Sequence, residues 1–245
     1  MQLWRTRSQR RWRRRRNEGL GRWPEGQLYP KNLWQAPLRY ALAMRVRLPP
    51  GDQKLVQIID AALADTARRS GEWLVCKLGC TQCCMGAFAI NQLDALRLQQ
   101  GLSELEVTDP ARAAQVRERA DASIARLSQD FPGDPETGIL DEGETAEALF
   151  EEFANDEPCP VLDPETGMCD LYAARPLTCR VFGPPVQSEG GLGVCELCYH
   201  GASEEEIAAC EMTVDPEEME PALLDELERS TGRRGRTIVA FALGL

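Results

Sequence analysis

Four cysteines fall within nine positions of this 245-residue chain, Cys76, Cys80, Cys83 and Cys84 in CKLGCTQCC. Three more follow at Cys159, Cys169 and Cys179, and a last three at Cys195, Cys198 and Cys210. Four chemistries compete for such a set. Positions 76, 80, 83 and 84 are i, i+4, i+7 and i+8, one face of a helix, and free cysteine is a common small core residue. That accounts for one or two thiols, not for the absence of Ala, Val or Leu at all four. Disulfides are the second reading. Adjacent Cys83 and Cys84 bond only as a strained pair, and a reducing cytoplasm, the expected compartment here, disfavours stable bridges. Nucleophilic catalysis usually needs one cysteine and a histidine base, and the single histidine, His200, leaves nine thiols unexplained.

Metal ligation accounts for the set most economically. Soft thiolates suit zinc, Cu(I) and iron–sulfur clusters. The i, i+3 spacing of Cys80 with Cys83, and of Cys195 with Cys198, brings two sulfurs within reach of one ion. The Cys83–Cys84 doublet can serve two metals or two atoms of one cluster, because neighbouring side chains point apart. Eight thiolates are enough for two four-cysteine zinc sites, or for one four-cysteine cluster with four to spare. How the cysteines divide stays open at this level. Cys210 and His200 are further candidates, His200 more simply as a surface or packing residue.

Charge points the same way. Residues 127–228 hold 27 acids but only two basic side chains, Arg175 and Arg180, both beside Cys179 in RPLTCR. Four thiolates around a divalent ion leave net negative charge, which cationic donors in an outer shell would offset. The competing reading is that both arginines pair with nearby carboxylates. Tyr172 adds a hydroxyl donor, or packs.

These residues resemble the YkgJ-type cysteine-cluster family, described as a zinc- or iron-chelating domain. The resemblance rests on CxxxCxxCC at Cys76, Cys80, Cys83 and Cys84; on Cys159, Pro160 and Leu162; on Cys169 and Tyr172; and on Arg175, Pro176, Cys179 and Arg180. It covers about residues 75–200 and excludes the arginine-rich start. It implies a metal ion as partner, zinc or iron as cofactor with an iron–sulfur cluster as an option, and a ligand set of Cys76, Cys80, Cys83, Cys84, Cys159, Cys169, Cys179, Cys195 and Cys198. A similar cluster accompanies flagellin lysine N-methylases, where an iron–sulfur centre is implied, so an iron–sulfur-dependent enzyme is the alternative. Against it, no Gly-rich loop follows a strand in a βαβ unit, the usual mark of a nucleotide-type cofactor site.

The elements that must hold these thiols read as mainly helical. DQKLVQIIDAALADTARRS predicts an amphipathic helix buried along Leu55, Ile58, Ile59, Ala62 and Leu63, ended by Gly71. A short helix is expected over Gln92–Gln100, capped by Asn91 and stopped by Gly101. Another runs from Pro110 to about Gln129, buried along Ala113, Val116, Ala120, Ile124 and Leu127. FPGDPETGILDEGE and GPPVQSEGGLG read as loops, and TAEALFEEFA as a short helix. Asp-Pro-Glu-Thr-Gly occurs twice, at 134–138 and 163–167; both copies read as turns. The second suggests a small hairpin tying Cys159 to Cys169. Ser203 and Glu206 form a capping box for a helix through about Met212. Asp215-Pro216 opens a helix ending near Gly232, and the apolar TIVAFALGL fits a helix turn or a strand. The expected fold is mainly α with a short β-hairpin, a small irregular cysteine-centred core with flanking helices.

The bulk numbers set outer bounds. Residues 1–47 hold 13 Lys and Arg against two acids, leaving 15 against 37 in the remainder. The block RTRSQRRWRRRR reads as a basic disordered tail, since like-charge blocks do not fold. No apolar segment follows it, as a twin-arginine export signal would need. The acidic body, residues 48–245, reads as one metal-binding domain whose charge repels nucleic-acid phosphates. No apolar run is long enough to span a membrane. No protein partner is indicated.

Overall fold

The computed structural model describes residues 46–77, 79–188 and 191–244. Residues 1–45 of the expected basic tail lie outside the described residues. No helix among the described residues is long and apolar enough to cross a membrane.

Helix α1 (Asp52–Ser70) buries Leu55 and Ile59 completely, as its apolar spacing demands, and ends at Gly71. Asn91 caps α2 as expected, its side chain accepting from the Asp94 N–H at 3.0 Å. But α2 runs Gln92–Thr108, through the expected stop at Gly101. Gly101 is not a terminator. A Cβ there would stand 2.4 Å from the Ala174 Cβ, so the glycine lets the turn Tyr172–Ala174 press against the helix. Asp109 caps α3 (Pro110–Leu127), which buries Ala113, Val116 and Ala120.

A terminal helix, α8 (Val239–Gly244), settles what TIVAFALGL does: nearly every residue in it is buried. It packs with α2 and α3 around Leu98, Leu102, Val116, Ala120 and Leu243. A second apolar cluster joins α1 to α7 (Met219–Thr231) through Leu55, Ile59, Leu93, Met212 and Leu227. Helix α7 starts later than Asp215-Pro216 because Asp215 acts as a remote cap. Its carboxylate accepts from the Met219 and Glu220 N–H groups at 2.8 and 2.7 Å. A third cluster gathers Phe131, Phe153 and Phe241.

Between these lie α4 (Glu144–Glu152), α5 (Leu177–Val181) and α6 (Glu204–Ala209), the last opened by the Ser203–Glu206 capping box. Both stretches expected as loops contain hairpins. Strands β1 (Gly133–Asp134) and β2 (Ile139–Leu140) pair antiparallel, as do β3 (Val186–Ser188) and β4 (Gly191–Gly193). They are too short to show an alternating pattern, which is why the sequence reading missed them.

Candidate metal centre

The CKLGCTQCC stretch is not an α-helix. Its described residues, 76–77 and 79–84, are irregular and close in a 3₁₀ turn, Gln82–Cys84, so its cysteines do not share a helix face. The Cys80 N–H bonds the Lys77 carbonyl at 2.9 Å, and the Cys84 N–H the Thr81 carbonyl at 2.9 Å. Immediately after the turn the chain becomes extended and pairs with the second cysteine segment. The Cys159 N–H donates to the Cys84 carbonyl at 2.8 Å, and the Gly86 N–H to the Glu157 carbonyl at 2.8 Å, around an isolated bridge between Met85 and Pro158. Cys84 and Cys159 are thereby tied through the backbone.

Cys159 and Cys169 are joined by the turn foreseen between them, though as a single bridge, Leu162 to Cys169, rather than paired strands. The two Asp-Pro-Glu-Thr-Gly copies fold alike. Asp163 accepts from the Glu165 N–H at 2.9 Å and the Thr166 hydroxyl at 2.5 Å. Asp134 accepts from the Glu136 N–H at 2.9 Å and the Thr137 hydroxyl at 2.8 Å. Gly138 and Gly167 both take positive φ, 68° and 69°, where a side chain would be strained. These bonds hold both exposed aspartates below the usual carboxylate range.

The helices brace this unit through ion pairs that the sequence reading did not single out. Arg119 on α3 donates to the Pro160 carbonyl at 2.7 Å and to Asp170, while Arg112 donates to the other Asp170 oxygen at 2.5 Å. The Asp170 side chain is 1% exposed. Pro160 and Asp170 directly follow Cys159 and Cys169, so one helix clamps both cysteines. A second network holds Cys179. Asp94 on α2 accepts from the Leu177 N–H at 2.9 Å, at the start of α5, and from Arg97 at 2.6 Å. Arg97 also grips Asp52 of α1. Burial pushes the Asp94 carboxyl up and works against the Arg97 charge. The bonds and charges of Asp52 and Asp94 nevertheless hold Arg97 above its ordinary range, and the ion pair gives each of its three nitrogens a carboxylate partner.

Five thiols, from Cys83, Cys84, Cys159, Cys169 and Cys179, come close enough for their charges to act on one another. Cys83 and Cys84 share a hydrogen bond, which draws Cys83 down to about 7 despite burial, with help from the Arg175 charge. The same bond, together with burial, pushes Cys84 up. Burial pushes Cys159 up to about 12, and Cys169 and Cys179 upward as well. A second neighbourhood holds Cys76, Cys195 and Cys198. The Cys76 and Cys198 sulfurs stand 3.9 Å apart, and Cys195 hydrogen-bonds Cys198. The Cys195 bond pulls Cys198 down, but the Cys76 contact and burial leave it at about 11. Cys80 is half-buried, its N–H bonded to the Lys77 carbonyl, and Cys210 is buried near Tyr199. His200 is exposed.

The arginines beside Cys179 divide in role. Arg180 is buried and spends its donors on both Asp60 oxygens at 2.7 Å, on the Ala173 carbonyl at 2.6 Å and on the Arg175 carbonyl at 3.2 Å. Those contacts match carboxylate pairing. Arg175 lies 4.1 Å over the Tyr172 ring, reaches Asp60 at 3.6 Å, and its charge acts on Cys83 and Cys169. Tyr172 is half-exposed and serves as the plate under Arg175.

A family model matches residues 75–199, a span that begins one residue before Cys76 and ends one residue after Cys198. The chain belongs to the CxxCxxCC family. The family's description is "Putative zinc- or iron-chelating domain". The span holds all nine expected ligands and both cysteine neighbourhoods, while α1, α7 and α8 lie outside it. No curated protein and no solved structure gives a significant match.

The donor set suits that description. All ten cysteines are free thiols, and soft sulfur donors favour zinc or iron over magnesium or calcium. Among the described residues, no three Cys, His, Asp or Glu side chains already stand in the arrangement of a metal site. What the fold supplies is backbone ties between cysteine-bearing segments and one close sulfur pair, Cys76 with Cys198.

Proposed function

We propose that this protein binds zinc or iron through its cysteines, in a single domain spanning residues 48–245. One observation carries the reading: three separate cysteine-bearing segments are tied together, Cys84 to Cys159 by a backbone bridge, the Cys159–Cys169 turn by Arg112 and Arg119 on buried Asp170, and the start of α5 by buried Asp94. Core cysteines need no such bracing. In this reading Cys76, Cys80, Cys83, Cys84, Cys159, Cys169, Cys179, Cys195 and Cys198 supply thiolates. Arg175 supplies the outer positive charge that offsets them. Arg180 and Tyr172 act on the site through Asp60 and Arg175.

Zinc bound this way would crosslink segments that share little core, and iron held by thiolates would add redox chemistry. The iron–sulfur alternative, with a role like that of flagellin lysine N-methylases, uses the same sulfurs. It finds no cofactor-binding loop in its favour. A reducing, cytoplasmic setting suits the thiols in either case.

The test is Cys159→Ser. If Cys159 is a ligand, the variant binds less metal and unfolds less cooperatively, as structural sites do when a ligand is removed. Undiminished metal content with unchanged unfolding would remove Cys159 from the site.

A further inference from the structure

Resting on that metal-binding reading, we infer that the cysteines form two separate sites, and that Cys76, Cys195 and Cys198 make the second, a three-thiolate site for a soft divalent cation. Three independent features of the fold support the division.

The first is spacing. Sulfurs bound at about 2.3 Å to one tetrahedral ion lie about 3.8 Å apart. Cys76 and Cys198 already stand at 3.9 Å, and the Cys198 N–H bonds the Cys195 carbonyl at 2.9 Å, in one tight turn that carries both thiols. The pairing is long-range, since 122 positions separate Cys76 from Cys198. Chain proximity does not explain it.

The second is packing. Cys195, Cys198 and Cys210 belong to an apolar cluster with Val194, Tyr199 and Ile207. Cys159 and Cys169 instead pack against the cluster of α2, α3 and α8. Different cores hold the two groups, so losing one need not dissolve the other.

The third is a glycine. A Cβ on Gly183 would lie 2.8 Å from the Cys76 sulfur, and Gly183 sits at φ 126° with its carbonyl accepting from the Cys195 N–H at 3.4 Å. The backbone leaving α5 therefore passes directly over Cys76 and reaches Cys195. That is close backbone approach at a sulfur, the use to which glycine is suited. Three protein sulfurs would leave a fourth position on a tetrahedral ion open to water or another ligand.

The two neighbourhoods share one segment, 76–84, which carries Cys76 as well as Cys83 and Cys84. A single shared cluster is therefore the rival arrangement, and stepwise thiol protection separates the two. The wild-type protein, purified without oxygen and loaded with zinc, is treated with rising chelator and pulsed with iodoacetamide, and alkylated cysteines are mapped by mass spectrometry. Two sites predict that Cys76, Cys195 and Cys198 lose protection together, in a step distinct from Cys159, Cys169 and Cys179. Bound zinc should fall from about two ions per chain to about one between those steps. A Cys195→Ser/Cys198→Ser variant should hold about one ion while Cys159, Cys169 and Cys179 stay protected. Loss of protection at all six in one step would replace two sites by one. Protection of Cys159, Cys169 and Cys179 with Cys76, Cys195 and Cys198 reactive from the start would overturn the second site and leave the metal-binding reading standing. Full reactivity with no zinc bound would overturn both.

Discussion

Asp94, buried on α2, accepts a hydrogen bond from the Leu177 N–H at 2.9 Å, and that bond fixes the start of the helix carrying Cys179. The same carboxylate holds Arg97, which holds Asp52 on α1. Three helices and one cysteine thus meet in one network. Asp94→Ala should destabilise the protein by about 3 kcal/mol, since it leaves a buried guanidinium short of a partner and a backbone N–H unsatisfied. Urea unfolding of metal-free protein measures this. A change within about 0.5 kcal/mol, the range of ordinary surface substitutions, would show the network to be incidental.

Arg119→Ala addresses positioning of the thiols rather than global stability. The side chain joins the Pro160 carbonyl to Asp170, the residues following two cysteines. Its removal should weaken metal binding by about 10- to 100-fold, the usual effect of losing an outer partner of a ligand. Competition with a chromophoric chelator reads the affinity. An unchanged affinity would mean that the bridge to the 84–86 segment alone holds Cys159.

Gly101→Ala should reverse the usual helix rule. Replacing an interior helical glycine with alanine ordinarily stabilises by up to about 1 kcal/mol. Here the added Cβ would meet Ala174, so overpacking of about 1–3 kcal/mol should prevail. Thermal unfolding gives the sign directly. A raised melting temperature would mean that the 172–174 turn gives way at little cost.

Asp163 ties the two cysteines of its hairpin to pH. Its carboxyl sits below the ordinary range because Thr166 and the Glu165 N–H bond the charged form. A depressed folded value makes the turn's contribution fully present above the unfolded value, about 3.9, and lost as pH falls through the folded one. NMR titration should find the Asp163 and Asp134 carboxyls both below about 3.9. Ordinary values at both would mean that the turns do not hold their aspartates as charged acceptors.

Much of this was legible in the sequence, for reasons that differ by element. Leu55, Ile59, Val116 and Ala120 recur at helical spacing, so α1 and α3 could be read directly. Caps at Asn91 and Ser203 followed from side chains that bond their own neighbours. Hairpin β3–β4 could not be read, because strands of three residues carry no period. Gly101 was misread as a helix stop, because its reason is Ala174, more than 70 positions away, and local rules see only neighbours. The cysteine spacing announced metal chemistry but not its division. That depends on Gly183 passing over Cys76 and on the distant meeting of Cys76 with Cys198. Likewise the basic residues beside Cys179 drew attention, whereas the partner of Arg112 and Arg119, Asp170, lies more than 50 positions away and nothing local marks it.

The central claim is that these thiols hold metal. Anaerobic purification followed by elemental analysis for zinc, iron and acid-labile sulfide, with a visible spectrum, tests it most directly. The account predicts at least about one zinc or iron per chain, colourless if zinc, and absorbing broadly in the visible with sulfide present if an iron–sulfur cluster. Protein that is folded, with all ten thiols reduced, and that neither carries nor takes up either metal would contradict it.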